Sequence, residues 1–291
     1  MSNSIDTQYR DLLQLILDRG IKTASQQGVE ALTLMAPPPL RFDLSQGFPL
    51  ITERKISPKM WQQAIGEIIG FINGARTQSE LEKYGCHWWK AWVTEKKCHK
   101  RDLETGDLGP GSYGAAFHDF PTPEGQPYNQ IQNIVEQIQE LPHLRTHFIT
   151  PWIPQYTIRG KGKQQKVVVC PCHGWIHIRI IDNQLTLHMW QRSSDTPIGL
   201  PANLAQYAAL TMMFGEVTGY PVREYIHSFS DAHIFVDQID KVKEMLKREP
   251  RPLPKMRLKN NKKNIFDYRV EDFELIDYDP HPGIWDIPVA I

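Results

Sequence analysis

Apolar residues recur along this chain with two different spacings, and the change between them organises it. From Tyr9 to Gly20, Leu12, Leu13, Leu15, Ile16 and Leu17 keep helical spacing, and Gly20 marks the stop. Residues 21–30 are polar and read as a loop. Ala31–Met35 reads as a short strand, ended by Pro37, Pro38 and Pro39, which cannot continue a ladder. Helical spacing returns over Trp61–Ile72, stopped by Asn73-Gly74. It returns again over Ile131–Leu141, through Ile131, Ile134, Val135 and Ile138.

The middle of the chain changes character. Lys166–Ile181 is rich in valine and isoleucine, and Gln184–Trp190 follows a turn at Asp182-Asn183, which predicts a β-hairpin. Leu200–Gly219 is apolar nearly all round, the mark of a helix buried on most sides. Tyr225–Phe235 reads as a strand and Asp237–Lys247 as a helix. From Pro250 the chain is proline-rich and irregular, with short strands expected at Ile265–Tyr268 and Phe273–Ile276. No internal repeat or low-complexity linker interrupts residues 1–291, so one α+β domain is expected.

Composition narrows the function. Of 291 residues, 41% are hydrophobic, and 33 basic residues balance 33 acidic ones. A neutral chain lacks the basic excess of a nucleic-acid-coating or membrane-surface protein, so neither partner is expected. There is no long apolar run, and Met1–Asp11 is polar without an apolar signal core, which points to a cytoplasmic protein. The four cysteines read as thiols rather than as a disulfide framework.

Candidate chemistry sits in the middle. Cys170-Pro171-Cys172-His173-Gly174-Trp175 closes the β-rich run. A thiol reacts as its thiolate and needs cationic or polar help to ionise near neutral pH. Alone, Cys172 reads more readily as buried filler. Gln191-Arg192-Ser193-Ser194-Asp195 and the following Thr196-Pro197-Ile198-Gly199-Leu200-Pro201-Ala202-Asn203 then gather polar groups ahead of the apolar helix. An arginine fork and a serine hydroxyl suit phosphate, and an arginine near a cysteine favours its thiolate. An ordinary capped turn is the plainer reading of the same residues.

The order Pro-Cys-His, Gln-Arg-Ser-x-Asp-x-x-x-Gly-Leu-Pro-x-Asn, then Asp-x-His resembles the thymidylate synthase family. Asp107-Leu108-Gly109-Pro110 with Tyr113-Gly114 resembles it too, as does Arg248-Glu249-Pro250-Arg251-Pro252-Leu253-Pro254. So does the tail, from Tyr278-Asp279-Pro280-His281-Pro282-Gly283 to Pro288-Val289-Ala290-Ile291. The likeness spans essentially the whole chain, with its motifs in family order. It implies a single domain with a mixed β-sheet packed with helices and a homodimer formed through that sheet, Val167–Ile181 supplying the apolar contact. It implies methylation of dUMP to dTMP, with 5,10-methylenetetrahydrofolate as both one-carbon donor and reductant, and so no separate nicotinamide or flavin.

The resemblance also assigns roles. Cys172 would bond to C6 of the pyrimidine and make C5 a nucleophilic carbon. Asn203 would offer a carbonyl to N3–H and an amide N–H to O4, which suits uracil and mismatches cytosine. Glu67 would organise water for proton transfers, although a lone Glu on an apolar helix equally fits a surface position. Tyr113 would assist loss of the C5 proton. Trp89, within Trp88-Trp89-Lys90-Ala91-Trp92, would lie beside the folate; plain core is the alternative, and the better one for Trp92. Arg192 and Ser193 would meet the phosphate, joined by Arg145 from the partner subunit. Asp195 would hydrogen-bond the pterin and also serve the substrate, Gly199 would bind the cofactor, and Ala290 and Ile291 would close over the site and exclude water.

This chain departs from the family in places. The loop Ile21–Glu30 has no arginine, and the family's arginine pair is Arg145-Thr146 here, leaving Lys22 and His147 as candidate substitutes. Phe235 stands where the family has a tyrosine that shares the sugar 3′-hydroxyl with a histidine, so His233 would work alone. His177 stands where a glutamine is usual. Cys86-His87 and Cys98-His99 lack the tighter spacing of a zinc site, and no metal is expected. Cys170-Pro171-Cys172 is too tight for an easy disulfide. A folate-dependent hydroxymethylase acting on UMP, CMP or dCMP is the main alternative. A catalytically silent binding protein fits less well.

Overall fold

Two long strands alternate between buried and outward residues along their middles, over residues 187–191 and 225–229. In a computed structural model, which describes residues 5–290, β6 (Gln184–Asp195) buries Leu185, Leu187, Met189 and Gln191. β7 (Val222–Phe235) buries Tyr225, His227 and Phe229 on the same face. His188, Trp190, Ile226 and Ser228 point the other way, so one face is packed and the other open. β6 and β7 run parallel, with Met189 beside His227 and Gln191 beside Phe229. A parallel pair needs a crossover, and the helix Gly199–Thr218 supplies it.

The other pairings are antiparallel, so the sheet is mixed. β5 (Trp175–Ile181) pairs with β6, and β4 (Phe148–Ile149) lies beyond β5. On the far edge of β7 lie β2 (Ala31–Met35) and β3 (Leu40–Phe42), with β1 (Ile21–Thr23) outside β2. A separate two-stranded ladder joins β8 (Lys255–Leu258) to β9 (Phe273–Ile276). The α+β expectation holds in this form, with helices packed on a mixed sheet in a single domain.

Helix ends follow local chemistry. Pro58–Ile72 starts on Ser57, whose side chain accepts from the Met60 N–H, with Pro58 at the first position. It ends at Asn73. Gly199–Thr218 buries fifteen residues and ends on Gly219, which adopts φ 78°. The two helices pack together, and the polar residues inside that packing form the floor of the site.

Three expectations need correction. Residues 21–30 are not all loop: Ile21–Thr23 form an edge strand whose residues are all exposed. Backbone pairing rather than burial makes it, which a hydrophobic pattern cannot show. The hairpin turns at Asp182 and Asn183, both at positive φ (52° and 56°), but its ladder begins at Trp175 instead of Lys166. Upstream, Lys166 and Val168 donate to the carbonyls of Tyr156 and Leu108, so their amides are spent on loops. Its second strand runs past Trp190 to Asp195 and carries Arg192 and Ser193 with it. Finally, Ile265–Asp267 is a 3₁₀ turn capped by the Asn264 side chain rather than a strand. Gln78–Lys83 and Tyr113–His118 are six-residue helices, too short for the periodic pattern to reveal.

Candidate active site

Cys172 lies in the irregular segment ahead of β5 and is tied to β6. The N–H groups of Arg192 and Ser193 donate to its carbonyl at 2.7 and 3.3 Å. Its own N–H donates to the Tyr113 hydroxyl at 2.6 Å. Arg192 Nη2 stands 3.5 Å from Sγ, while Arg192 Nε donates to Pro171 O at 3.1 Å. Burial pushes the thiol up; the Arg192 charge and the Tyr113 contact pull it back. Desolvation is the larger influence, so the thiolate depends on that guanidinium. His173 is no partner base. It turns toward Tyr207, with Nδ1 2.6 Å from the hydroxyl, and burial pushes its pKa down to about 3. Gly174, at φ 99°, permits that approach, since a Cβ there would sit 2.9 Å from both Tyr207 Oη and Phe117.

Tyr113 connects this mouth to the interior. Its ring stacks on His173 at 4.5 Å and on Phe71 at 4.7 Å, and Trp89 meets it edge-on at 6.5 Å. The indole N–H groups of Trp88 and Trp89 donate to Glu67 Oε1, and Gln206 Nε2 donates to Oε2 at 2.6 Å. Glu67 is buried, not on the surface, and burial raises its pKa against those three donors. Gly66 makes the approach possible, because a Cβ there would lie 2.1 Å from Tyr84 O. Trp89 is buried, while Trp92 is half-buried under Lys97.

Asn203 joins the same interior. Its Oδ1 accepts from Gln191 Nε2 and its Nδ2 donates to Gln206 Oε1, both at 3.0 Å. Gln206, Tyr207 and Trp88 are absent from the sequence-based candidates. Gln206 had a signal: a polar residue three positions after Asn203, on an otherwise apolar helix, shares its face. Buried there, it needs partners.

The opposite side is assembled from β6 and β7, which set Ser193 beside Asp231 and Asp195 beside His233. His233 Nδ1 is 2.6 Å from Asp231 Oδ1, and its ring meets Phe235 at 5.1 Å. Phe235 is core, 4% exposed. Burial raises the Asp195 carboxyl to about 6, against the charge of His233 and donation from Gln238 Nε2. Gln238 also donates to Pro288 O at 2.9 Å and so ties the tail to Asp195. Gly199 opens the helix that carries Asn203. The tail buries Ile284 and Ile287, Ala290 is half-buried, and Ile291 lies outside the described residues.

Arg145 is not gathered into this cluster. It is exposed at the β4 edge, where its carbonyl is 3.1 Å from His177 Nε2. Lys22 pairs with Glu30 on the surface at 2.5 Å. His147 is buried, with Nε2 3.2 Å from Leu141 O and its pKa lowered by burial. Neither candidate substitute stands ready for a phosphate. Cys86 and Cys98 are buried in the core, the Cys86 sulfur 4.0 Å from Glu67 Oε1. Among the described residues, no cluster of three or more His, Cys, Asp or Glu could hold a metal ion. Among them, too, no helix is long and apolar enough to cross a membrane.

The family model described as thymidylate synthase matches residues 7–291. The thymidylate synthase of Corynebacterium aurimucosum is 35% identical over 284 residues, covering 98% of this chain and 98% of that protein.

Proposed function

We infer the reaction from one premise: the chain belongs to the thymidylate synthase family. It is an enzyme of that family, and we propose that it converts dUMP to dTMP with 5,10-methylenetetrahydrofolate, residues 1–291 acting as one catalytic unit. The observation that carries this reading is Cys172 with the Arg192 guanidinium 3.5 Å from its sulfur.

Cys172 would add through sulfur to C6 of the pyrimidine, pushing the electron pair toward C5 and O4, and would be expelled from C6 as the 5,6 double bond re-forms in the methylated product. Asn203 would donate to O4 and accept from N3–H, so charge developing on O4 meets a fixed N–H. Tyr113 keeps its proton, since burial holds its pKa well above the ordinary value, and its oxygen stands beside the nucleophile's backbone for the C5 proton transfer. Glu67, fixed by three N–H donors, would steer water-borne protons at the base.

The chain's own groups fit a pterin. Asp195 has acceptor capacity beyond its Gln238 contact, suited to a heterocyclic N–H, and the Trp89 indole lies beside Tyr113. The bound folate would supply a one-carbon unit and the hydride that reduces it to a methyl group. Arg192 and Ser193 would meet the phosphate, and His233 the sugar hydroxyl. The docked tail supports a methyl rather than a hydroxymethyl product. Ile284 and Ile287 pack down and Gln238 holds Pro288, which would keep water from the transferred carbon.

We also propose a homodimer through the open face of the sheet. Trp190 meets Trp175 at 5.0 Å, Trp175 meets Trp152 at 5.9 Å, and Arg192 lies over Trp152. Phe148, 50% exposed, extends this aromatic surface toward Arg145, which would reach the partner's phosphate site.

The test is to incubate the protein with dUMP, UMP, dCMP or CMP plus methylenetetrahydrofolate and weigh the products. A dUMP product heavier by CH2 is expected. A product heavier by CH2O, or turnover confined to UMP or to a cytosine nucleotide, would point to the hydroxymethylase reading or to another substrate.

A further inference from the structure

A line of side-chain amides crosses the buried floor of the site, and its hydrogen-bond direction is forced. At one end, Gln191 Nε2 faces Ser193 O at 2.9 Å and Asn203 Oδ1 at 3.0 Å. At the other, Gln206 Nε2 faces Ala64 O at 3.0 Å and Glu67 Oε2 at 2.6 Å. A backbone carbonyl accepts and never donates. Each glutamine must therefore turn its NH2 toward its carbonyl, whichever way an amide is drawn.

Asn203 lies between them. Gln191 presents a donor to it and Gln206 an acceptor, so its Oδ1 must receive and its Nδ2 must give. One lone pair and one N–H remain for a ligand. Turning the amide over would set donor against donor at Gln191 and acceptor against acceptor at Gln206. Gln191 is 2% exposed, Gln206 0% and Asn203 8%, so water cannot repair the mismatch. Beyond Gln191 the line continues to His227, whose Nε2 is 2.8 Å from Gln191 Oε1 and whose Nδ1 is 2.7 Å from the Tyr225 hydroxyl. Gln191 Oε1 can only accept, so a neutral His227 carries its proton on Nε2 and accepts from the Tyr225 phenol on Nδ1. Burial holds His227 in that neutral form.

We propose that Gln206 is a positioning residue for base choice. Together with Gln191, it locks the Asn203 amide in the orientation that accepts from N3–H and donates to O4, and so excludes a 4-amino ring. This rests on Asn203 reading the base, as proposed above. The same Gln206 amide also donates to Glu67, so base orientation and the buried carboxylate share one side chain.

Two variants separate those tasks. Gln206→Met removes both contacts and frees Asn203 to turn. Gln206→Glu keeps an acceptor facing Asn203 but removes the donor to Glu67. Equilibrium binding of dUMP and dCMP, without folate, gives the base preference; kcat with dUMP gives the effect on turnover. In Gln206→Met the dUMP-to-dCMP affinity ratio should fall by about tenfold or more. In Gln206→Glu that ratio should stay within about threefold of wild type, while kcat falls by about tenfold or more. A Gln206→Met ratio within about twofold of wild type would overturn the lock. If Gln206→Met does not fold, Gln191→Met, which removes the donor to Asn203 Oδ1, takes its place: a ratio lowered by about tenfold supports the lock and one within about twofold of wild type overturns it. Wild type that binds neither nucleotide, or prefers dCMP, overturns the base reading beneath it. Wild type that prefers dUMP while Gln206→Met keeps the preference overturns the lock only.

Discussion

The two ends of the proposed nucleotide site are built to different degrees of completion. Around Asn203 and Glu67 the chain itself supplies the orienting partners, Gln191, Gln206, Trp88 and Trp89, and leaves one lone pair and one N–H of Asn203 for a ligand. At the phosphate and sugar end the provision is thin. Arg192 turns Nε and Nη2 to Pro171 O, Cys170 O and the Cys172 sulfur, Arg145 stands exposed at the sheet edge, and Phe235 offers no hydroxyl. Folding alone orients the base end. The other end would gain a contact from a second copy on the proposed dimer.

Substitutions that break the contrast most sharply come first. Cys172→Ala should cut turnover by about four orders of magnitude or more, with the thermal melt unchanged. Cys170→Ala should leave the rate within about threefold, since its sulfur donates to the Thr157 carbonyl. Glu67→Gln should lower kcat by about a hundredfold or more while dUMP affinity changes far less. If affinity and rate fall together, the carboxylate serves the fold instead.

At the thin end the effects should be smaller and act on binding. Arg145→Ala should weaken dUMP by about 1.5–3 kcal/mol, the worth of one charge-assisted contact, with kcat nearly unchanged. Sedimentation should show a dimer at micromolar concentration, and a fully active monomer would remove the reason for that loss. Phe235→Tyr should tighten dUMP by about fivefold, the worth of one neutral hydrogen bond to the 3′-hydroxyl. An unchanged affinity would mean that the position does not read the sugar.

The smallest effect concerns pH. Asp195 sits at about 6 because burial disfavours its charge, so its acceptor form is lost as pH falls through that value. The KM for folate should therefore rise below about pH 6, and Asp195→Asn should flatten that dependence. The sign for stability is opposite. The folded state holds the proton more tightly than the unfolded chain, so this group's contribution to stability declines as pH rises from 3.8 toward 6.

Much of this was legible in the sequence, and the exceptions share a cause. Ala31–Met35, the long buried helix after Gly199 and the Asp182-Asn183 turn were visible because period, length and turn chemistry are local. Cys172, Arg192, Asn203 and Glu67 were visible through motif order. Gln206, Gln238 and Tyr207 were not, because their roles depend on which carbonyl or carboxylate the fold sets opposite them. The edge strand Ile21–Thr23 escaped notice because its cause is a neighbour's free backbone groups. Lys166–Gly174 misled in the other direction: Val167 and Val168 are buried, but the Lys166 and Val168 amides serve loops.

The central claim is that the Cys172 sulfur bonds to pyrimidine C6. A dUMP analogue with fluorine at C5 has no proton there to lose, so the adduct formed with methylenetetrahydrofolate cannot proceed to product and should persist through denaturation. Digestion and mass spectrometry should place nucleotide and folate together on the peptide containing Cys172, with no adduct in Cys172→Ala. An adduct on Cys170 instead, or dTMP formed from dUMP by Cys172→Ala at near the wild-type rate, would contradict it.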